Sequence, residues 1–179
     1  MTGTSGSLVD RMMGALRLDV ATYEEVERDN DATTQALIVV ALASLANGIG
    51  ALGDDGGTGL IGGIIYGIVG WLLFSLVAFF VGTRLLGAST TSADAGQVMR
   101  ALGFAYTPQI LNVIAFIPVI GWIVSAIAGI WFLIAAVIAL RQSLELSTGR
   151  AIAVGIISII AYGIVQAIVG AIFGLGPWD

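Results

Sequence analysis

The groups able to do chemistry in this chain of 179 residues are carboxylates, amides and hydroxyls. Glu24, Glu25, Glu27, Asp29 and Asp31 crowd into the stretch YEEVERDND, and Asp54 adjoins Asp55 in a glycine-rich stretch. Oxygen clusters of this kind suit a divalent cation. Adjacent helical side chains point apart, however, so Glu24, Glu25 and Glu27 do not converge, and a solvated acidic linker is the simpler reading. Asp54 and Asp55 alone make a weak cation site. The chain has no His, Cys or Lys, and its seven cations are all Arg. That removes Ser-His-Asp and Cys-His catalysis, Cys or His zinc sites, thiolate-bound clusters, His- or Cys-ligated haem and lysine Schiff bases. No cofactor is expected. A net charge of −5 argues against a nucleic-acid partner.

The elements that would position these groups are membrane helices. Hydrophobic residues make up 58% of the chain, with a further 25 glycines, only 11% charged residues and a mean hydropathy of +0.99. An ordinary soluble domain is about 25% charged, and one of this size cannot hide so much apolar surface. The lipid bilayer is therefore the first partner. No apolar core follows an early positive cluster, so the N-terminus is expected to remain and to lie outside the hydrocarbon.

A crossing takes about 20 helical residues. The apolar stretches predict an all-α bundle of five transmembrane helices over about 33–52, 60–86, 103–117, 120–140 and 151–174. Asn30 or Asp31 is the expected cap of the first span. Ser92 is the expected cap of a short interfacial helix in the connector 87–100. Pro118 and Gly121 split the uncharged stretch 101–140 into two spans, and Pro108 kinks the third. Residues 1–32 form a cytoplasmic segment, 33–175 the membrane domain and 176–179 an outside tail, where Trp178 sits at interfacial depth.

Charge sets the expected orientation. With the N-terminus inside, Arg11, Arg17, Arg28, Arg84, Arg100, Arg141 and Arg150 all fall on the cytoplasmic side. The outside segments carry only Asp54, Asp55 and Asp179. The excess of arginine on one side predicts a multi-pass protein of the cell (plasma or inner) membrane, N-terminus cytoplasmic and C-terminus outside.

Small residues recur every four positions: Gly59, Gly63 and Gly67; Gly121, Ser125 and Gly129; Gly163, Ala167 and Ala171, with Gly170 and Gly174 on an adjoining row. Such rows let helices approach closely, either within the bundle or at a seam with a protein partner or a second copy. The polar residues in the spans, among them Asn47, Asn112, Tyr66, Tyr162 and Gln166, do not ionise near neutral pH. That argues against a proton relay or voltage sensor. Asn47, Asn112 and Gln166 either bond between helices or line a path for a neutral solute. A carrier needs all three in one cavity.

In SLVDRMMGALRLDV, Leu8, Val9, Met12, Met13, Leu16 and Val20 share one helical face. Ser7 and Asp10 stand at capping-box spacing. This amphipathic interfacial helix either anchors at the membrane surface, packs under its own bundle, or docks a partner through its methionines.

The motifs GFAYTPQIL, FIPVIGW and GIWFLIAAVIALRQSLELSTGRA, in that order after a cytoplasmic segment, carry a resemblance. Through Gly103, Tyr106, Pro108, Pro118, Gly121, Trp131, Arg141 and Arg150, the chain over about residues 12–174 resembles the YIP1 (Yip1-domain) family. The opening LRLDVATYEEVERDNDAT resembles its bacterial members. The resemblance implies five helices, a cytoplasmic N-terminus and no catalytic residue. Eukaryotic members associate with Rab-type GTPases in vesicle formation and Golgi organisation. The long N-terminal region of those members has no counterpart here, so that partner does not carry over. The expected function is a non-enzymatic membrane protein that organises membrane or protein partners. The alternatives are an accessory subunit of a bacterial respiratory or photosynthetic complex, or a channel or carrier for a neutral solute.

Overall fold

A computed structural model describes residues 6–51, 60–87 and 93–173, and the regular structure within them is helical. Helix α1 (Leu8–Leu16) starts where the Ser7 hydroxyl accepts from the Asp10 amide at 3.2 Å. It ends before Leu18, whose φ of 58° breaks the helical path. Helix α2 (Val20–Arg28) follows at once, its N-terminus capped by Asp19, which accepts from the Ala21 amide at 3.2 Å. The stretch 23–31 is therefore mostly helix rather than an acidic linker. Tyr23, Val26 and Glu27 are buried there, because the neighbouring bundle covers one face that charge composition alone marks as solvated.

Helix α3 (Ala32–Gly50) begins after Asp31, which makes no side-chain cap bond. Helix α4 (Leu60–Phe80) continues into a π-helical turn, Val81–Leu85. Helix α5 (Ala95–Ala105) is opened by Asp94 and Gln97, whose side chains and backbone amides bond reciprocally at 2.9 and 2.8 Å. That capping box satisfies two orphan donors. Asp94 and not Ser92 starts the helix, and Ser92 lies outside the described residues.

The expected third span, 103–117, is not one helix. It comprises the last turn of α5 and a 3-10 helix, Thr107–Ile114. Proline has no N–H and disfavours the α conformation in the residue before it, so Pro108 ends α5 and the chain tightens into the 3-10 geometry. Helix α6 (Ile120–Ser143) and helix α7 (Thr148–Phe173) complete the fold, with Arg141 and Arg150 inside helix ends.

Among the described residues, four helices are long and apolar enough to cross a bilayer: Ala32–Gly50, Gly63–Leu85, Ile120–Ser143 and Thr148–Ile168. Helix α5 lies among α3, α4, α6 and α2. Small residues make this possible: Ala36, Ala43, Ala101, Ala105, Ala135 and Ala139 are fully buried. The outer faces are aliphatic, with Ile130, Leu133, Ile156, Ile160 and Ile164 exposed. Exposed aliphatic surface on this scale belongs in a bilayer.

Candidate functional site

Two places concentrate polar groups. The first is the α1–α2 hairpin. Arg11 is 2% exposed. Its guanidinium donates to Glu25 at 2.8 and 3.1 Å, to the Gln35 amide oxygen of α3 at 2.9 Å, and to Asp29. A planar fork of fixed donors can satisfy several acceptors at once, which an ammonium cannot. Burial works against the Arg11 charge, but the bonds to Asp29 and Glu25 outweigh it, and its pKa is raised. The same contact holds the Asp29 carboxyl below its ordinary value.

Arg100 of α5 reaches the same end of α2 and donates to the backbone carbonyls of Val26 and Glu27 at 3.2 and 3.1 Å. The last carbonyls of a helix have no intrahelical partner, and a cation there also meets the negative end of the helix dipole. Trp131 Nε1 of α6 donates to Leu16 O at 3.0 Å, and the Gln142 amide donates to Glu24 at 2.8 Å. Burial raises the pKa of Glu27, and burial also pushes the Tyr23 phenol up. Among the described residues, no three carboxylates gather in a geometry that could hold a metal ion.

The second place is a cavity of about 690 Å³ between α3, α4, α6 and α7. Its walls are largely aliphatic and aromatic, and Asn47, Tyr66 and Tyr162 bring polar groups to it. Gln166 donates to the hydroxyls of Tyr66 and Tyr162 at 2.7 and 3.0 Å, and Phe74 meets the Tyr162 ring edge-on at 6.1 Å. Asn112 makes a separate cluster, donating to Asn47 at 2.6 Å and to Gln109 at 2.7 Å. Asn47 and Asn112 are thus partners, whereas Gln166 belongs to the tyrosine cluster, and of the three Asn47 alone lines this cavity.

The glycine rows have mixed surroundings. Gly67 packs so closely on Ser44 that a Cβ would collide with it, whereas a Cβ on Gly63 would meet nothing within 4 Å; both line the cavity. Gly121 packs on the Ala115 carbonyl, while Gly129 and Gly163 face open space and Ser125 is exposed. Gly170 lies in α7, and Gly59 and Gly174 lie outside the described residues, as do the outside tail and Asp54 with Asp55. Of the other motif residues, Gly103 meets Ala36, Tyr106 meets the Phe132 ring at 4.7 Å with the planes tilted by 58°, Pro108 is buried and Pro118 is exposed. Arg141 is half-buried beside Gln142, and Arg150 is exposed.

On α1, Leu8 and Met12 pack against the core and Leu16 is half-buried, while Val9 (66%) and Met13 (43%) are exposed. Sequence reading overlooked Arg11, Arg100 and Glu27, because a charge is read as facing water until a buried partner is known. The position of Arg11 on the same side of α1 as Leu8 and Ala15 is the signal that was available.

Comparison with known proteins adds one relationship. The Yip1 domain model matches residues 13–170. No curated protein and no solved structure matches the chain.

Proposed function

The chain belongs to the Yip1 family, and from that premise we propose that it is a non-enzymatic multi-pass protein of the cell membrane. It organises membrane or protein partners through its helix surfaces. The observation that carries this reading is the separation of its surfaces. The aliphatic faces of α4, α6 and α7 are exposed, while the charged hairpin is bonded to Arg100 of α5 and to Trp131 and Gln142 of α6. Asn47, Asn112, Tyr66 and Gln166 are engaged with one another, and α3, α4, α6 and α7 carry no carboxylate over their described residues for an acid–base reaction within the membrane.

In this reading the chain crosses five times, with its N-terminus cytoplasmic and its C-terminus outside. The spans are about 33–52, 60–86, 103–117, 120–140 and 151–174, the third made of the last turn of α5 and the 3-10 helix that follows it. Residues 33–175 then form the membrane domain, with 1–32 as the cytoplasmic segment and 176–179 as the outside tail. The seven arginines fall on the cytoplasmic side, in accord with the bias that orients membrane proteins.

An accessory subunit of a bacterial respiratory or photosynthetic complex is the second reading, favoured by the open space at Gly129 and Gly163. Small residues without a neighbour allow another helix to approach closely. The experiment that separates the two is mild detergent extraction from native membranes, native sizing, and mass spectrometry of whatever co-migrates. Migration alone or as a small homo-oligomer supports the organiser. Co-migration with a large complex at fixed stoichiometry replaces it with the accessory subunit.

A further inference from the structure

The cavity has a shape and a polarity that specify a ligand. Its lining runs along α4 from Gly63 to Phe74 and along α7 from Tyr162 back to Ile152. Ten or eleven helical steps make this a slot about 15 Å long, parallel to the helices. The two ends differ in chemistry. Leu140, Val137 and Ile152 line the end nearest Arg141 and Arg150, with no polar side chain among them. Asn47, Tyr66 and Tyr162 lie toward the other end.

The polar end is a set of donors. Both tyrosine hydroxyls accept from Gln166, and Tyr162 is also bonded to Tyr66, which leaves the Tyr66 proton to give. Asn47 takes the Asn112 donor on its oxygen, which leaves its own amide N–H groups. Donors of this kind call for an oxygen acceptor on the ligand. The described lining holds no Arg, Asp or Glu, and burying an unpaired charge in an apolar site is costly. The volume lies within the range of sites for small organic ligands.

We propose that this slot binds one uncharged single-chain amphiphile. Its alkyl chain lies between α4, α6 and α7, and its hydroxyl or carbonyl oxygen is held by Tyr66 and Asn47. The inference rests on the placement of these helices in a bilayer and not on the organising role, so either can fail without the other.

The test uses the full chain in phosphatidylcholine nanodiscs with tritiated 1-monolauroylglycerol as the probe. Saturable binding near one per chain is expected, competed by the unlabelled glyceride and at least tenfold more weakly by laurate, the anionic acid with the same chain. Gly63→Phe places a ring in the slot where a Cβ meets nothing, so at least a tenfold loss of binding is expected with the melting temperature retained. Gly155→Leu, whose Cβ meets only Leu140 at 3.7 Å, narrows the apolar end. It should discriminate against the twelve-carbon glyceride relative to an eight-carbon one. Tyr66→Phe removes one donor and should weaken binding about fivefold. Equal competition by laurate, or unchanged glyceride binding by folded Gly63→Phe and Gly155→Leu, overturns the proposal and assigns the lipid to the outer surface.

Discussion

Trp131, midway along α6, donates its indole N–H to the carbonyl of Leu16 at the end of α1, 3.0 Å away. The bond satisfies a helix-terminal carbonyl that has no partner in its own helix. It also ties the N-terminal hairpin to the middle of a bundle helix. Trp131→Phe keeps the ring and removes the donor. The hairpin should then lose about 1 kcal/mol of docking stability. Hydrogen exchange of residues 8–28 should quicken while that of α6 and α7 stays unchanged; equal exchange in both proteins would show that the bond contributes nothing to docking.

Two carboxylates of the hairpin respond to pH with opposite signs. Asp29 is held below its ordinary value of 3.8 by Arg11. Its contribution is therefore fully present above that value and is lost as pH falls through the folded pKa. Asp29→Asn should lower the melting temperature at pH 7 and have little effect in strong acid. Glu27 is raised above 4.5 by burial, and one of its oxygens is buried without a partner. Its favourable contribution is present below 4.5 and is lost as pH rises. Glu27→Gln should thus stabilise the protein at pH 8 and be neutral below pH 4.5. Melting curves of the two variants across pH check both signs.

Gly103 packs on α3, where a Cβ would lie 2.7 Å from Ala36 Cβ and 3.2 Å from Ala36 Cα. Backbone cannot give way as a flexible side-chain tip can. Gly103→Val should force α3 and α5 apart and cost about 1–3 kcal/mol. The contrast with Gly63→Phe, which meets open space, is the control. If both variants melt alike in detergent, close packing at Gly103 is not what holds α3 to α5.

Val119, 74% exposed in the turn before α6, has a φ of 68°. A β-branched residue in the left-handed region carries strain of about 1–2 kcal/mol. Val119→Gly should relieve it and raise the melting temperature, less the entropy that glycine loses on folding. A drop in stability would mean that the valine side chain makes contacts that outweigh its backbone strain.

Composition and local pattern alone establish an apolar helical protein, where most of its helices run, and that Pro108 and Pro118 interrupt them. These follow from properties that belong to single residues or short windows: hydropathy adds along a chain, and proline removes a donor whatever surrounds it. The Yip1-type motifs were legible for a related reason, because Gly103, Tyr106 and Pro108 fall close together in the chain.

Helix packing sets which side of each helix meets another helix, and so which polar groups are satisfied. Nothing in YEEVERDND marks Glu27 for burial; α5 does so, by bringing Arg100 against the end of α2. Nothing in the spacing of Gly63 and Gly67 tells them apart. Ser44 of α3 fills the space beside Gly67, and the cavity opens beside Gly63. Which residues become neighbours across more than a hundred positions, as Trp131 does with Leu16, depends on how whole helices pack, and no local pattern contains it.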